Sequence, residues 1–206
     1  MNQRVFESYE DLSQAAARAI LQSGAKSIAL TGGSTPKRLY EILAPSLPSD
    51  VDWVLLDERF VPHDDPQSNA AMIERTLFAR GIPSRWLAFD TSLPDAASAA
   101  RDFESKWNLD QLDLVLLGCG DDGHTASLFP GTAVLDVEDR VASEVYVPRL
   151  AQWRVTLTLP VIRAAKQRMV LVSGESKRAV LDEVRQGVDY PVVRATTGVD
   201  TWWYVT

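Results

Sequence analysis

Residues 112–130 read LDLVLLGCGDDGHTASLFP, an apolar run followed by a glycine-rich loop and a histidine. An apolar run that ends in glycines is typical of a buried strand in a parallel sheet. The spacing of GCGDDG also fits a dinucleotide-binding loop, but such a loop opens a helix at its third glycine, and Pro130 ends any helix here within one or two turns. We therefore predict a buried strand whose carboxyl end carries a tight loop with polar side chains.

Other runs repeat the strand pattern along the chain. Residues 27–30 (SIAL), 53–56 (WVLL) and 169–173 (MVLVS) predict buried strands, and TWWYVT at the end of the chain predicts a last one. The runs RVASEVYV and WRVTLTL alternate polar and apolar residues, which is typical of antiparallel or edge strands. We expect them to form a small antiparallel insertion near residues 140–160 that closes over a site.

Amphipathic stretches between the strands predict helices at residues 9–21, 36–43, 69–79, 94–107 and 176–185. Ser8, Thr35 and Ser68 are the predicted N-caps of the first three, and Gly24 closes the first. Strands that alternate with helices form a largely parallel sheet. We predict a three-layer α/β fold, with a Rossmann-like, mainly parallel sheet flanked by helices, in a single domain over residues 1–206.

The composition of the chain indicates which partners and which cellular compartment to expect. The chain has 206 residues, 46% of them hydrophobic, and a formal net charge of −7. An acidic surface repels nucleic acids and anionic lipids, so neither is expected as a partner. The single cysteine excludes an intrachain disulfide, and we find no signal peptide and no run long enough to span a membrane. We expect a cytoplasmic protein.

The segment LTGGSTPKRLYE, residues 30–41, has the composition of an anion site. Gly32 and Gly33 allow a backbone turn that side chains would block, and Ser34 and Thr35 precede a helix whose first N–H groups attract negative charge. The segment lacks the GKS or GKT ending of a nucleotide-triphosphate loop, so it predicts a site for one phosphate group. The alternative is a strand-to-helix turn without a ligand.

The segment LLDERFVPHDDPQSN, residues 55–69, places three charged residues directly after a buried strand. A charge at such a position costs free energy unless it forms an ion pair or takes part in binding or catalysis. Arg59 is a candidate clamp for an anionic oxygen, and Asp57 a candidate acceptor for sugar hydroxyls or a base. A structural pair between Asp57 and Arg59 is the alternative. His63 is interpreted as a solvated loop residue.

His124 and Asp122 are the candidate catalytic pair of the opening stretch. An aspartate beside a histidine fixes the tautomer of the imidazole and raises its basicity, which leaves the other nitrogen free to take a proton from water. We expect Gly118, Gly120 and Gly123 to fold the loop so that both side chains enter the crevice. Three alternatives remain open, namely a structural histidine, Cys119 as a nucleophile, and a metal held by Asp121, Asp122, His124 and His63; with two histidines in the chain, we predict no metal site.

Arg154 and Lys177 are two further cations whose positions in the sequence need a physical explanation. Lys177 lies at the start of a predicted helix, where a positive charge opposes the helix dipole unless an anion lies in front of it. We predict that both residues bind phosphate. Solvated surface charge is the alternative for each of them.

Taken together, the segments TGGSTP, LLDERFVPHDDPQSN, GCGDDGHTASLFPG, RVTLTLP and SGESKR resemble the 6-phosphogluconolactonase family from about Ile28 to Ala179. The resemblance implies a fold related to ribose-5-phosphate isomerase and glucosamine-6-phosphate deaminase, no cofactor, and hydrolysis of 6-phospho-D-glucono-1,5-lactone in the pentose phosphate pathway. It implies that GCGDDG leads to a catalytic histidine. As a hypothesis, His124, oriented by Asp122, acts as the general base on water, and Arg59 or loop N–H groups stabilise the oxyanion. The expected partner is this small lactone, and the expected assembly is a monomer or small homo-oligomer.

Two alternatives to the lactonase remain. Glucosamine-6-phosphate deaminases share the phosphate loop and the Asp–Gly–His pattern, but they have a glutamate five residues after the histidine, where this chain has Phe129. We expect that an apolar ring cannot orient the histidine or exchange a proton, which favours the lactonase. A non-catalytic sugar-phosphate sensor is the second alternative, and no helix-turn-helix segment is predicted beside the domain.

Overall fold

The computed structural model describes residues 2–198 and 200–206. The strands in chain order are β1 (Asn2–Val5), β2 (Ser27–Leu30), β3 (Asp52–Leu55), β4 (Asp57–Arg59), β5 (Trp86–Leu87), β6 (Leu114–Gly118), β7 (Ala142–Val147), β8 (Gln152–Leu157), β9 (Gln167–Val172) and β10 (Thr201–Val205). The helices are α1 (Tyr9–Ser23), α2 (Lys37–Leu43), α3 (Asn69–Thr76), α4 (Ala96–Lys106), α5 (Leu159–Ala164), α6 (Arg178–Arg185) and α7 (Pro191–Thr196).

Seven strands form one parallel sheet in the order β1-β10-β9-β6-β2-β3-β5. All residues of β2 are buried, as the unbroken apolar runs predict for strands covered on both faces. Helix α2 contacts both α1 and α3, and α5 contacts α7. The predicted α/β fold is confirmed. All carboxyl ends lie at one edge of the sheet, where ligands of such folds bind.

A second, three-stranded sheet has the order β4-β8-β7, and all its pairs are antiparallel. It confirms the predicted antiparallel insertion and adds β4, which was not predicted. The chain passes from one sheet to the other at Leu56, whose N–H donates to Leu30 O while its carbonyl accepts from Leu157 N. The charged residues that follow β3 are therefore held in a strand rather than in a loop.

Two of the three predicted N-caps are confirmed, and so is the glycine predicted to close the first helix. Ser8 accepts from Asp11 N, Ser68 accepts from Ala71 N, and Gly24 ends α1 with a left-handed φ of 66°. The cap predicted at Thr35 is wrong, because α2 begins one residue later and its N-cap is Pro36, which forms no side-chain cap.

Other boundaries shift by a few residues. Helix α3 ends at Thr76, Asp95 caps α4, and α6 is preceded by a single 3₁₀ turn, Glu175–Lys177. The short elements β1, β5, α5 and α7 were not predicted. No helix within residues 2–198 and 200–206 is long and apolar enough to cross a membrane.

Candidate active site

A cavity of about 220 Å³ lies beyond the carboxyl ends of β2, β6 and β9, next to β4 and β8. The predicted site residues that line it are Gly32, Gly33, Ser34, Thr35, Asp57, Arg59, His124, Arg154 and Lys177. Asp122 lies behind this surface and reaches it through His124. The structure therefore brings together side chains from segments that lie far apart in the sequence.

The glycine-rich loop forms one wall of the cavity. A Cβ at Gly32 would lie 1.9 Å from Asn69 Oδ1, and Gly33 has a left-handed φ of 93°. Asn69 in turn donates to the Asp57 carbonyl, so α3 is held against the loop. The hydroxyl of Tyr9 donates to the carbonyls of Ser34 and Thr35 and fixes the loop from the other side. These contacts explain why glycines are needed here.

Arg59 and Arg154 face each other as direct neighbours on β4 and β8. Like charges placed opposite each other in an antiparallel pair destabilise a sheet. Among the described residues neither arginine lies within 4.0 Å of a carboxylate oxygen. Arg59 donates to the Gln67 carbonyl, and Arg154 donates to Gln152 Oε1. Within residues 2–198 and 200–206, the buried Nε of Arg59 has no hydrogen-bond partner and Arg154 donates to no other group. Two unpaired cations beside a polar cavity are suited to bind an anion.

Arg154 is only 7% exposed, and burial lowers the pKa of its guanidinium from its usual value. The nearby carboxylate of Asp57 opposes this shift. An arginine nevertheless stays protonated in proteins, so a permanent positive charge lies at the cavity wall. Lys177 lies at the rim, where its Nζ is 2.6 Å from Asp121 Oδ1. The Asp121 carboxylate therefore offsets part of the unfavourable interaction between the Lys177 charge and the helix dipole.

Asp122 and His124 form a hydrogen-bonded pair on the loop after β6. Asp122 Oδ1 is 2.5 Å from His124 Nδ1, and Asp122 Oδ2 is 2.7 Å from the guanidinium of Arg149. Among the described residues no group hydrogen-bonds His124 Nε2. The imidazole therefore has one nitrogen held by a carboxylate and the other available to the cavity.

Burial lowers the pKa of His124 from 6.5 and outweighs the opposing effect of the Asp122 carboxylate. The Asp122 carboxylate raises the basicity of the imidazole as expected, but burial has the larger effect, so the neutral imidazole prevails at neutral pH. For Asp122, burial acts to raise the pKa, but the hydrogen bond from His124 and the charge of Arg149 lower it overall. The pair consists of a carboxylate and a neutral histidine that can accept a proton.

Two of the three loop glycines are required by this arrangement. A Cβ at Gly120 would lie 2.0 Å from His124 Nδ1, and Gly123 has a φ of 72° with the Tyr190 ring in the place of a Cβ. The expectation for Gly118 is wrong, because a Cβ there would meet no atom within 4 Å. The tight part of the loop thus begins at Gly120.

Phe129 stacks on His124 with 4.2 Å between ring centroids and an angle of 22° between the planes. The guanidinium carbons of Arg149 and Arg154 lie 5.0 and 5.3 Å from the Phe129 centroid. The expectation that an apolar ring cannot orient the histidine is therefore wrong, since stacking fixes the plane of the imidazole. The ring still carries no group that exchanges a proton.

The two carboxylates after β3 have different surroundings. Asp57 is 4% exposed, lines the cavity and accepts from Ser127 Oγ at 2.6 Å, and it forms no ion pair with Arg59. Glu58 points away and accepts from the N–H groups of Asn69 and Ala70 at the start of α3. Glu58 therefore has a structural role, and Asp57 is the carboxylate that is available to a ligand in the cavity.

The remaining alternatives from the sequence lose support. Burial raises the pKa of Cys119 to about 11, so its thiol stays protonated and is a poor nucleophile at neutral pH. His63 is paired with Glu74 Oε2 at 3.0 Å and is 60% exposed. The four residues considered as metal ligands are not gathered into one group in the described part of the chain.

Sequence reasoning missed three residues of the site, namely Asn69, Ser127 and Arg149. Asn69 had a detectable signal, since it opens a helix directly after the charged segment. Ser127 and Arg149 act through contacts to residues 70 and 27 positions away, which spacing does not show.

A profile described as glucosamine-6-phosphate isomerases/6-phosphogluconolactonase matches residues 3–203. A 6-phosphogluconolactonase from a Synechocystis species is 38% identical over 180 residues, which cover 81% of this chain and 74% of the relative. The crystal structure of a 6-phosphogluconolactonase from Thermotoga maritima superposes with a TM-score of 0.86 at 30% identity, over 99% of this chain and 98% of that one. A monomeric glucosamine-6-phosphate deaminase, 22% identical over 100% of this chain and 97% of that one, has a TM-score of 0.85 and shares the fold.

Proposed function

The chain belongs to the family of glucosamine-6-phosphate isomerases and 6-phosphogluconolactonases, and from this premise we propose that it hydrolyses 6-phospho-D-glucono-1,5-lactone to 6-phospho-D-gluconate in the pentose phosphate pathway. The observation that carries the proposal is a neutral histidine, paired with a carboxylate, in the same cavity as unpaired cations. The histidine suits the hydrolytic step, and the cations suit the phosphate group.

The phosphate group binds at one end of the cavity. Residues 32–35 supply backbone N–H groups and the hydroxyls of Ser34 and Thr35, while Arg154 and Lys177 supply positive charge. To reach the phosphate, Lys177 exchanges its contact with Asp121 for one with the ligand. Binding energy from this non-reacting group then positions the lactone carbonyl beside His124.

His124 Nε2 takes a proton from a water molecule as the water oxygen attacks C1 of the lactone. The carbonyl electrons move to the oxygen, and the resulting oxyanion is stabilised by Arg59 or by loop N–H groups. When the intermediate collapses, the bond between C1 and the ring oxygen breaks, and the imidazolium returns the proton to the leaving oxygen. Asp122 holds the imidazole in the required tautomer and stabilises its charged form.

Asp57 binds sugar hydroxyls. One of its carboxylate oxygens accepts from Ser127, and among the described residues the other carries no hydrogen bond. We assign no cofactor and no metal to this reaction, and we place the enzyme in the cytoplasm as a monomer or a small homo-oligomer.

Comparing two substrates tests the proposal. Purified protein is given freshly generated 6-phosphogluconolactone, with 6-phosphogluconate dehydrogenase and NADP⁺ to report the product, and in parallel glucosamine 6-phosphate with detection of ammonia. We expect lactone hydrolysis well above the spontaneous rate and no ammonia. Ammonia release without lactone hydrolysis would make the protein a deaminase, and binding of sugar phosphate without either reaction would make it a sensor.

A further inference from the structure

Arg149 lies outside the cavity wall but contacts the catalytic pair from behind. It is in a single 3₁₀ turn, Pro148–Leu150, at the tip of the hairpin that joins β7 to β8. Its guanidinium is 2.7 Å from Asp122 Oδ2, and the other oxygen of the same carboxylate is 2.5 Å from His124 Nδ1. Asp122 is thus held between the hairpin tip and the imidazole.

A second contact links Arg149 to the same histidine. Its guanidinium carbon lies 5.0 Å from the centroid of the Phe129 ring, which itself stacks on His124 at 4.2 Å. Arg149 therefore reaches the imidazole edge through Asp122 and the imidazole face through Phe129. A planar guanidinium suits both contacts, because it donates to a carboxylate along its edge and packs on an aromatic ring with its face.

We propose that Arg149 is a positioning residue of the reaction: it holds Asp122 and Phe129 in the arrangement that directs His124 Nε2 into the cavity. The inference rests on the proposed function. It makes the β7–β8 hairpin part of the catalytic apparatus, although Arg149 is not among the residues that line the cavity.

The charged groups around His124 determine how the loss of Arg149 changes the pKa of the imidazole. The charged groups at the cavity or in contact with the imidazole come from its own loop, from β4, from β8 and its hairpin, and from the start of α6: Asp57, Arg59, Asp122, Arg149, Arg154 and Lys177. The two aspartates raise the pKa of the imidazole, and Arg149 lowers it. Removal of the Arg149 charge therefore raises the pKa of His124.

The test uses Arg149→Gln, the conservative Arg149→Lys, and Arg85→Gln as a matched control. Arg85 is as exposed as Arg149, with side chains 55% and 53% accessible, and its ion pair with Asp52 is outside the site. The chain has only two histidines, so an NMR titration resolves His124. The values of kcat and KM for the lactone are measured on the same preparations.

In Arg149→Gln we expect the pKa of His124 to rise, because the positive charge of Arg149 that lowers it is removed. We expect kcat to fall about tenfold at similar KM, because binding is intact and the base is less well oriented. Arg149→Lys should restore the pKa and part of kcat, and Arg85→Gln should match the wild type.

An unmoved His124 pKa in folded Arg149→Gln, or an equal shift in Arg85→Gln, would overturn the proposal. A raised KM at unchanged kcat would overturn it too, since Arg149 would then bind substrate. Thermal unfolding identifies any variant that does not fold. If Arg149→Gln does not fold, Arg149→Lys carries the test: a wild-type kcat in this variant would overturn the proposal, because a lysine cannot contact the Asp122 carboxylate and the Phe129 ring with one planar group as a guanidinium does. The titration needs no substrate, so an inactive wild type refutes the proposed function separately.

Discussion

Replacement of Gly120 by alanine tests the geometry of the catalytic loop. An alanine Cβ at this position would lie 2.0 Å from His124 Nδ1 and 2.8 Å from Asp122 Oδ1. Uncharged contacts of this kind are favourable only near 3.5 Å, so the imidazole must move by about 1 to 1.5 Å. The backbone at Gly120 has no left-handed φ, so alanine itself is compatible with the local conformation.

A displacement of this size lowers kcat by roughly 100-fold, which corresponds to about 2.7 kcal/mol of activation free energy. We expect KM to change little, because the phosphate-binding residues lie on other segments. The free energy of unfolding should fall by about 1 to 3 kcal/mol, as for other overpacked sites.

The assay is steady-state hydrolysis of the lactone, corrected for spontaneous hydrolysis, together with thermal unfolding of each variant. Gly118→Ala is the matched control, because a Cβ two residues earlier meets no protein atom within 4 Å. It should fold normally, and because Gly118 also lines the cavity, any effect should be on KM rather than on kcat. Wild-type kcat in a folded Gly120→Ala protein would refute the argument that this loop fixes the position of His124.

Three other outcomes follow from the site. Because burial lowers the pKa of His124 below 6.5 and only the neutral imidazole is a base, a plot of kcat/KM against pH should fall on its acid side with an apparent pKa below 6.5; a value above 6.5 would contradict this. Cys119→Ser should retain most of the activity, since the buried thiol has a pKa of about 11, and strong inactivation of the wild type by a thiol reagent at neutral pH would speak against this assignment. Arg154→Gln should raise KM for the lactone by about tenfold or more at a similar kcat, and an unchanged KM in steady-state assays would remove Arg154 from the phosphate site.

Much of the fold was predictable because its strands are buried on both faces and read as short apolar runs. The segments that became β2, β3, β6, β9 and β10 all carry this signal. Strand β5 has only two residues, Trp86–Leu87, and β1 lies at the sheet edge with mostly exposed side chains, so neither has a distinctive pattern. Strand β4 is formed by three charged residues, and only its pairing with β8 makes it a strand.

The candidate site was predictable where glycines and charges follow a strand, as at Gly32, Asp57 and His124. The direction of the pKa shift of His124 was not, because it depends on burial, which spacing does not give. The contact between Arg149 and Asp122 is likewise produced by folding of the hairpin onto the loop.

The most direct test of the account is the rate of 6-phosphogluconolactone hydrolysis by wild-type protein and by His124→Ala, with thermal unfolding as the check on folding. We predict clear acceleration by the wild type and a kcat lowered by about 100-fold or more in the variant, at similar KM. A folded His124→Ala protein that hydrolyses the lactone at the wild-type rate would contradict it.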